Sequence, residues 1–204
     1  MKITRILSDF STATHFNDIA PEAIINTKRH ILDCIGVGLA ATVETAGQTI
    51  IDITSEEGGP PKALVFGTNL RSGVVSTAWA NGALSHLLDF DDTGFSHPTA
   101  CILPAAMALA EETEASGELL VAAICIGLEV FERMSSSGRQ HEHIFRARGF
   151  HPTSLYGCSA AAAAAGKIAQ LDTDQMAVAL GLAAANAGGL TQHLSLIHIS
   201  EPTR

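Results

Sequence analysis

An all-α domain is the fold this chain predicts, and three observations carry the prediction. Hydrophobic residues make up 47% of the 204 positions but aromatics only 5%, so the core is built mainly from Ala, Leu, Ile and Val. Such side chains suit closely packed helices better than a sheet, which favours Tyr, Phe, Trp and Thr. Apolar residues then recur at three-and-four spacing, and Gly, Pro and polar residues punctuate the runs.

The elements follow in order. A modest first helix covers Ile3 to about Ala13. Pro21 suits the first turn of the second, with Glu22 placed to complement the helix dipole. Ile24, Ile25, Ile31, Leu32, Ile35 and Leu39 mark its apolar stripe as far as Ala41. Gly36 and Gly38 weaken that helix, so close approach of a neighbour is expected there. A third helix spans about Thr45–Ser55 and stops at Gly58-Gly59-Pro60-Pro61. Ala63–Gly67 is the one strand-like piece. Helices resume over Ser72–Asp89, with Val75, Ala78, Leu84, Leu87 and Leu88 inward, then over Thr99–Ala115 and Gly117–Met134. After a polar segment, Ser135–Gly149, comes Thr153–Gln170, whose six alanines Ala160–Ala165 let another helix approach closely. Asp172 and Gln175 form an N-terminal cap pattern for a last helix to about Ala187.

Charge and cysteine content narrow the function classes. The formal charge of −9, from 12 basic and 21 acidic residues, argues against a nucleic-acid surface. A local basic pocket for an anionic substrate remains compatible with it. No apolar run reaches the length of a membrane span and the N-terminus has no signal-peptide pattern, so no membrane partner is expected. Cys34, Cys101, Cys125 and Cys158 are widely spaced, with no C-x-x-C pair. Free buried thiols in a reducing cytoplasm are the expectation.

Residues 85–99, SHLLDFDDTGFSHPT, concentrate the chemistry. Asp89, Asp91, Asp92, Thr93, His86 and His97 fall within twelve positions at a helix end, where carboxylates oppose the dipole and need compensation. A second constellation, Gly149-Phe150-His151-Pro152-Thr153, repeats the His-Pro-Thr triplet ahead of an Ala-rich helix. A histidine at a helix N-terminus is expected to be held toward its neutral form, as a general base requires. His15 and His30 read as ordinary helix positions, and His141 with His143 is a weak metal pair, so no metal is expected.

The runs Ala80-Asn81-Gly82-Ala83 to His86, Asp89-Phe90-Asp91-Asp92-Thr93, His97-Pro98 and Gly149-Phe150-His151-Pro152-Thr153 together resemble the MmgE/PrpD family. Leu32-Asp33-Cys34-Ile35-Gly36 and Ala179-Leu180-Gly181-Leu182-Ala183-Ala184 add to the resemblance, which covers residues 5–193. The family includes 2-methylcitrate dehydratase, cis-aconitate decarboxylase and iminodisuccinate epimerase. It implies most of a large helical domain, residues 1–193, without the family's remaining helices and smaller lid domain. It also implies a cytoplasmic lyase acting on a small di- or tricarboxylate, a homodimer when full length, with no cofactor. The implied catalytic residues are Asp89, Thr93, His97 and His151. The segment between Thr93 and His97 is shorter than in the animal decarboxylases, which weighs against a decarboxylase; a 2-methylcitrate dehydratase-like reaction is the expectation. A family lysine expected soon after Gly189-Leu190 falls beyond His193.

Leu194–Arg204, LSLIHISEPTR, looks like a translated sequencing adapter and is expected to be non-native. Two alternatives stand beside the main reading. One is a metal-dependent all-α enzyme of isoprenoid-synthase type, with Asp89-Phe90-Asp91-Asp92 holding magnesium around a diphosphate. The other is a truncated assembly product without a function of its own.

Overall fold

The computed structural model describes residues 2–92, 96–139 and 147–190. Among these are eight α-helices: α1 (Lys2–Ala13), α2 (Pro21–Ala41), α3 (Thr45–Glu57), α4 (Val74–His86), α5 (Pro98–Glu112), α6 (Gly117–Arg139), α7 (Pro152–Ile168) and α8 (Thr173–Asn186). A 3-10 turn at Phe16–Asp18 and two two-residue strands, β1 (Ala63–Leu64) and β2 (Arg71–Ser72), complete the set. The all-α expectation holds. Thr93, His141, His143 and the Leu194–Arg204 tail lie outside the described residues.

Helix α7 is the hub, packed against α5, α6 and α8, while α5 also meets α4. Small residues allow this. A Cβ placed on Gly127 of α6 would sit 2.7 Å from Ile102 Cγ2 and 3.0 Å from the Ala160 carbonyl, so the alanine run of α7 does admit a close neighbour. The main core gathers Cys34, Ile102, Leu103, Ala106, Ala123, Ile124, Phe131, Ala160 and Ala164 from α2, α5, α6 and α7. A second cluster, Ile126, Val130, Ala163, Met176 and Leu180, seats α8. Asp172 caps α8 through the Asp174 and Gln175 amides, with Gln175 reaching back to the Asp172 amide, as its sequence predicts.

Two inward faces differ from expectation. On α2 the buried positions are Thr27, Cys34, Val37, Gly38 and Ala41, while Leu32 is 74% exposed. Small side chains let the neighbouring helices close on α2; Ile31 and Ile35 pack half-buried at the edge of the core, while Ile25, Leu32 and Leu39 lie on the open side. Gly38 shows the expected close approach, with Phe66 and Ser85 within 3.2 Å of a would-be Cβ; Gly36 faces nothing. On α4 the buried face is partly polar, and Val75 points outward. Its Asn81 carboxamide accepts from the Phe66 amide at 2.8 Å and donates to the Leu64 carbonyl at 3.0 Å, while Thr77 bonds the Ala63 carbonyl. These bonds clip the strand-like piece, paired antiparallel with Arg71–Ser72, onto the helix. Satisfying that short ribbon's backbone is why polar residues displace apolar ones from the face.

Candidate active site

The chain leaves α4 at His86 and makes two left-handed residues within four positions, Asp89 (φ 51°) and Asp92 (φ 46°). Aspartate tolerates this region better than most side chains. The double bend turns Asp91 inward, where its side chain is fully buried, and gives each of the three carboxylates a different set of partners.

Asp91 serves two imidazoles. Its Oδ1 lies 2.9 Å from His86 Nδ1 and 3.3 Å from His97 Nδ1, and its backbone carbonyl lies 2.9 Å from that same His97 nitrogen. The two rings stack obliquely with centroids 4.5 Å apart. Burial works to raise the Asp91 pKa, but the hydrogen bonds from His86 and His97 and their charge override it, holding the carboxyl down to about 2.

Asp92 has a different duty. It accepts from the Thr99 amide at 2.6 Å and the Thr99 hydroxyl at 2.9 Å, closing the first turn of α5, and pairs with His30 Nδ1 at 2.7 Å. That bond raises the His30 pKa against partial burial. His30 is therefore no ordinary helix position: it reaches across 62 residues of sequence to buttress the acidic bend. Asp89, the outermost of the three, places Oδ1 3.3 Å from His97 Nε2.

His97 precedes Pro98 at the N-terminus of α5, as expected. Its electrostatics are the reverse of the expectation. The Asp91 carboxylate is the main influence, aided by the Asp91 carbonyl and Asp89, and it raises the imidazole pKa over the opposing effect of burial. Two nearby carboxylates outweigh burial, so the shift runs toward the cation.

The two His-Pro-Thr junctions meet. The His97 amide donates to Thr153 Oγ1 at 3.3 Å, joining the start of α5 to the first turn of α7. His151, almost fully buried, occupies the matching position ahead of α7. Its Nδ1 is 3.1 Å from Ser154 Oγ, and its amide donates to the Gly189 carbonyl at 2.9 Å, beside a bridge between Phe150 and Leu190. The structure thus brings Asp89 and His97 into contact and joins the His97 junction to that of His151. Sequence reasoning placed Asp91 and His86 in the cluster but missed that Asp91 joins His86 to His97 and that His30 pairs with Asp92. A pocket of about 320 Å³ lined by Phe10, Thr14, Asp18, Cys125 and Glu129 lies apart and includes none of the candidate residues.

His86, Asp91 and His97 offer donor atoms within 4.8 Å of one another, close enough to surround a cation. The bonding suits shared protons better. His97 Nδ1 faces a backbone carbonyl, which can only accept, so hydrogen is favoured on that nitrogen and a metal there would have to displace it. Asp91 and Asp92 are likewise engaged by imidazoles and a helix start, not splayed toward a magnesium–diphosphate as an isoprenoid-synthase site requires.

Residues 5–196 match the MmgE/PrpD N-terminal domain. The chain belongs to this family. Over 198 residues it is 30% identical to human cis-aconitate decarboxylase, an alignment covering 92% of this chain and 41% of that protein. The mouse cis-aconitate decarboxylase is 29% identical over the same 92% of the chain. The Aspergillus terreus cis-aconitate decarboxylase is 27% identical over 181 residues, 85% of this chain and 37% of that protein. The chain therefore spans about two fifths of the length of these curated relatives. No single helix among the described residues is long and apolar enough to cross a membrane.

Proposed function

We propose that this MmgE/PrpD domain supplies the histidine-bearing half of a lyase site for a small di- or tricarboxylate. The observation that carries the reading is His97, clasped between Asp91 on Nδ1 and Asp89 near Nε2 and biased toward its cation. An imidazolium at that point does two things. It attracts a substrate carboxylate, and it holds a proton ready for the carbon or oxygen that needs one.

Loss of carbon dioxide breaks a carbon–carbon bond and leaves its electron pair on carbon; Nε2–H of His97 then delivers the proton that quenches it. Loss of water instead needs a base to take a proton beside a carboxylate and an acid to protonate the departing hydroxyl. His151 and His97 fill those places in that order. Asp89 holds the His97 Nε2–H until substrate displaces it, and Thr93 donates a hydrogen bond to the bound carboxylate. The names of the relatives favour decarboxylation of cis-aconitate, whereas the short segment after Thr93 weighs against it and leaves 2-methylcitrate dehydration as the alternative. Turnover assays on both substrates, with the whole protein that contains this domain, decide between them. His97→Ala and His151→Ala each lower turnover roughly a hundredfold or more with an unchanged circular dichroism spectrum, the usual scale of lost acid–base catalysis. Near-normal rates in both variants overturn the reading.

A further inference from the structure

We propose that Asp91, although it touches no substrate, is the positioning residue of this site: it fixes both His97 and His86 in the Nδ1–H tautomer, so that both rings keep Nε2 for proton exchange. The inference deepens the lyase reading and rests on it for its functional meaning, while its physical content stands on geometry.

An ionised carboxylate and a carbonyl are acceptors only. Both oxygens of Asp91 that face the rings, Oδ1 and the backbone carbonyl, therefore require hydrogen on the nitrogens opposite them. His86 Nδ1 is 2.9 Å from Oδ1, and His97 Nδ1 is 2.9 Å from the carbonyl and 3.3 Å from Oδ1. Complete burial of the Asp91 side chain makes these contacts hard to exchange for water. Among the described residues, Asp89 and Asp91 from the bend and the His86 ring from α4 face the His97 imidazole, and the Thr153 hydroxyl from α7 accepts from its backbone amide. Asp89 Oδ1 meets the other nitrogen at 3.3 Å and favours hydrogen there, but from the half-exposed rim; the 2.9 Å contact of Nδ1 with the Asp91 carbonyl, backed by the buried carboxylate, is the tighter constraint. It is the Asp91–His97 contact, rather than the helix dipole, that decides which nitrogen reaches substrate.

The test is a long-range proton–nitrogen NMR spectrum of the nitrogen-15-labelled chain, titrated with pH, for wild type, Asp91→Asn and Asp91→Ala. At the alkaline end of the titration, His97 and His86 of the wild type show the Nδ1–H pattern, the minority form of free histidine. Asp91→Asn removes the charge with little change of shape, and the His97 midpoint moves down. In Asp91→Ala, His86 relaxes toward Nε2–H, while the retained carbonyl keeps His97 as Nδ1–H. A wild-type His97 in the Nε2–H form, or a His97 midpoint unmoved by Asp91→Asn, overturns the proposal. Should Asp91→Ala fail to fold, the wild-type tautomers and the near-isosteric Asn variant still decide it. In the whole enzyme, Asp91→Asn also shifts the alkaline limb of the activity profile to lower pH, an effect a purely structural residue would not produce. If the enzyme turns over no carboxylate, the lyase reading fails while the spectra still judge Asp91.

Discussion

Three aspartates in four positions look interchangeable in the sequence, and their surroundings make them unlike. Asp91 is a buried anion between imidazoles, Asp92 closes a helix start, and Asp89 stands at the rim beside His97 Nε2. Their pH signatures differ accordingly. The depressed Asp91 pKa means that its stabilisation is present above the ordinary carboxylate range and fades as pH falls through about 2. That shift corresponds to stability on the order of 2 kcal/mol. Denaturant titration should therefore find Asp91→Asn less stable than wild type near neutrality, with the gap narrowing in acid. The raised His97 pKa has the opposite sense. Its contribution is complete below the ordinary histidine value and is lost as pH climbs through the folded midpoint. The sequence made the acidic cluster and both His-Pro-Thr junctions visible by composition. It hid which carboxylate meets which ring, because two left-handed residues redirect the chain within the bend and His30 arrives from 62 residues away.

Helix identity was readable wherever periodicity and end signals agreed, as at Pro21, the Gly58-Gly59 stop and the Asp172 cap. Facing was harder. Buried Asn81 and Thr77 serve the backbone of the Ala63–Phe66 ribbon, a tertiary demand that no spacing rule registers. Close packing around α7 gives a sharp test at this scale. Alanine is the better helix former by about 1 kcal/mol, so Gly127→Ala on a free helix would stabilise. Here the new methyl meets Ile102 and the Ala160 carbonyl, and overpacking of this kind costs about 1–3 kcal/mol. A lower melting temperature for Gly127→Ala is expected; a higher one would show that α6 and α7 separate easily. Asp172→Ala should cost about 1 kcal/mol in denaturant unfolding through loss of the α8 cap.

Across the whole molecule, aliphatic side chains remain on the outside. Leu32, Val75, Val178 and Leu182 are each more than 60% exposed, and Ile25 and Trp79 about half. Scattered exposed leucines are ordinary, but several on the open sides of α2, α4 and α8 favour association. The 204-residue chain on its own should self-associate in a concentration-dependent way by analytical ultracentrifugation. Leu32→Lys combined with Val178→Lys should weaken that association without altering helicity. A strictly monomeric wild type at high concentration would contradict this. We also expect the same chain to show no detectable lyase turnover, since it spans about two fifths of the length of its relatives.

The hydrogen bond from the His97 amide to Thr153 has a consequence for how the protein is made. It closes a loop of 56 residues, and the His151 amide is in turn tied to Gly189 near the far end of the described chain. Local helices can form as the chain emerges, but these two ties must wait for distant segments to arrive. During synthesis the site is therefore completed only after Thr153 and Gly189 have emerged. Amide exchange at His97 and His151 then becomes a clock for completion of folding: both should gain protection later than the interior of α5. A nascent chain that ends short of residue 189 should hold its helices while leaving His151 unanchored.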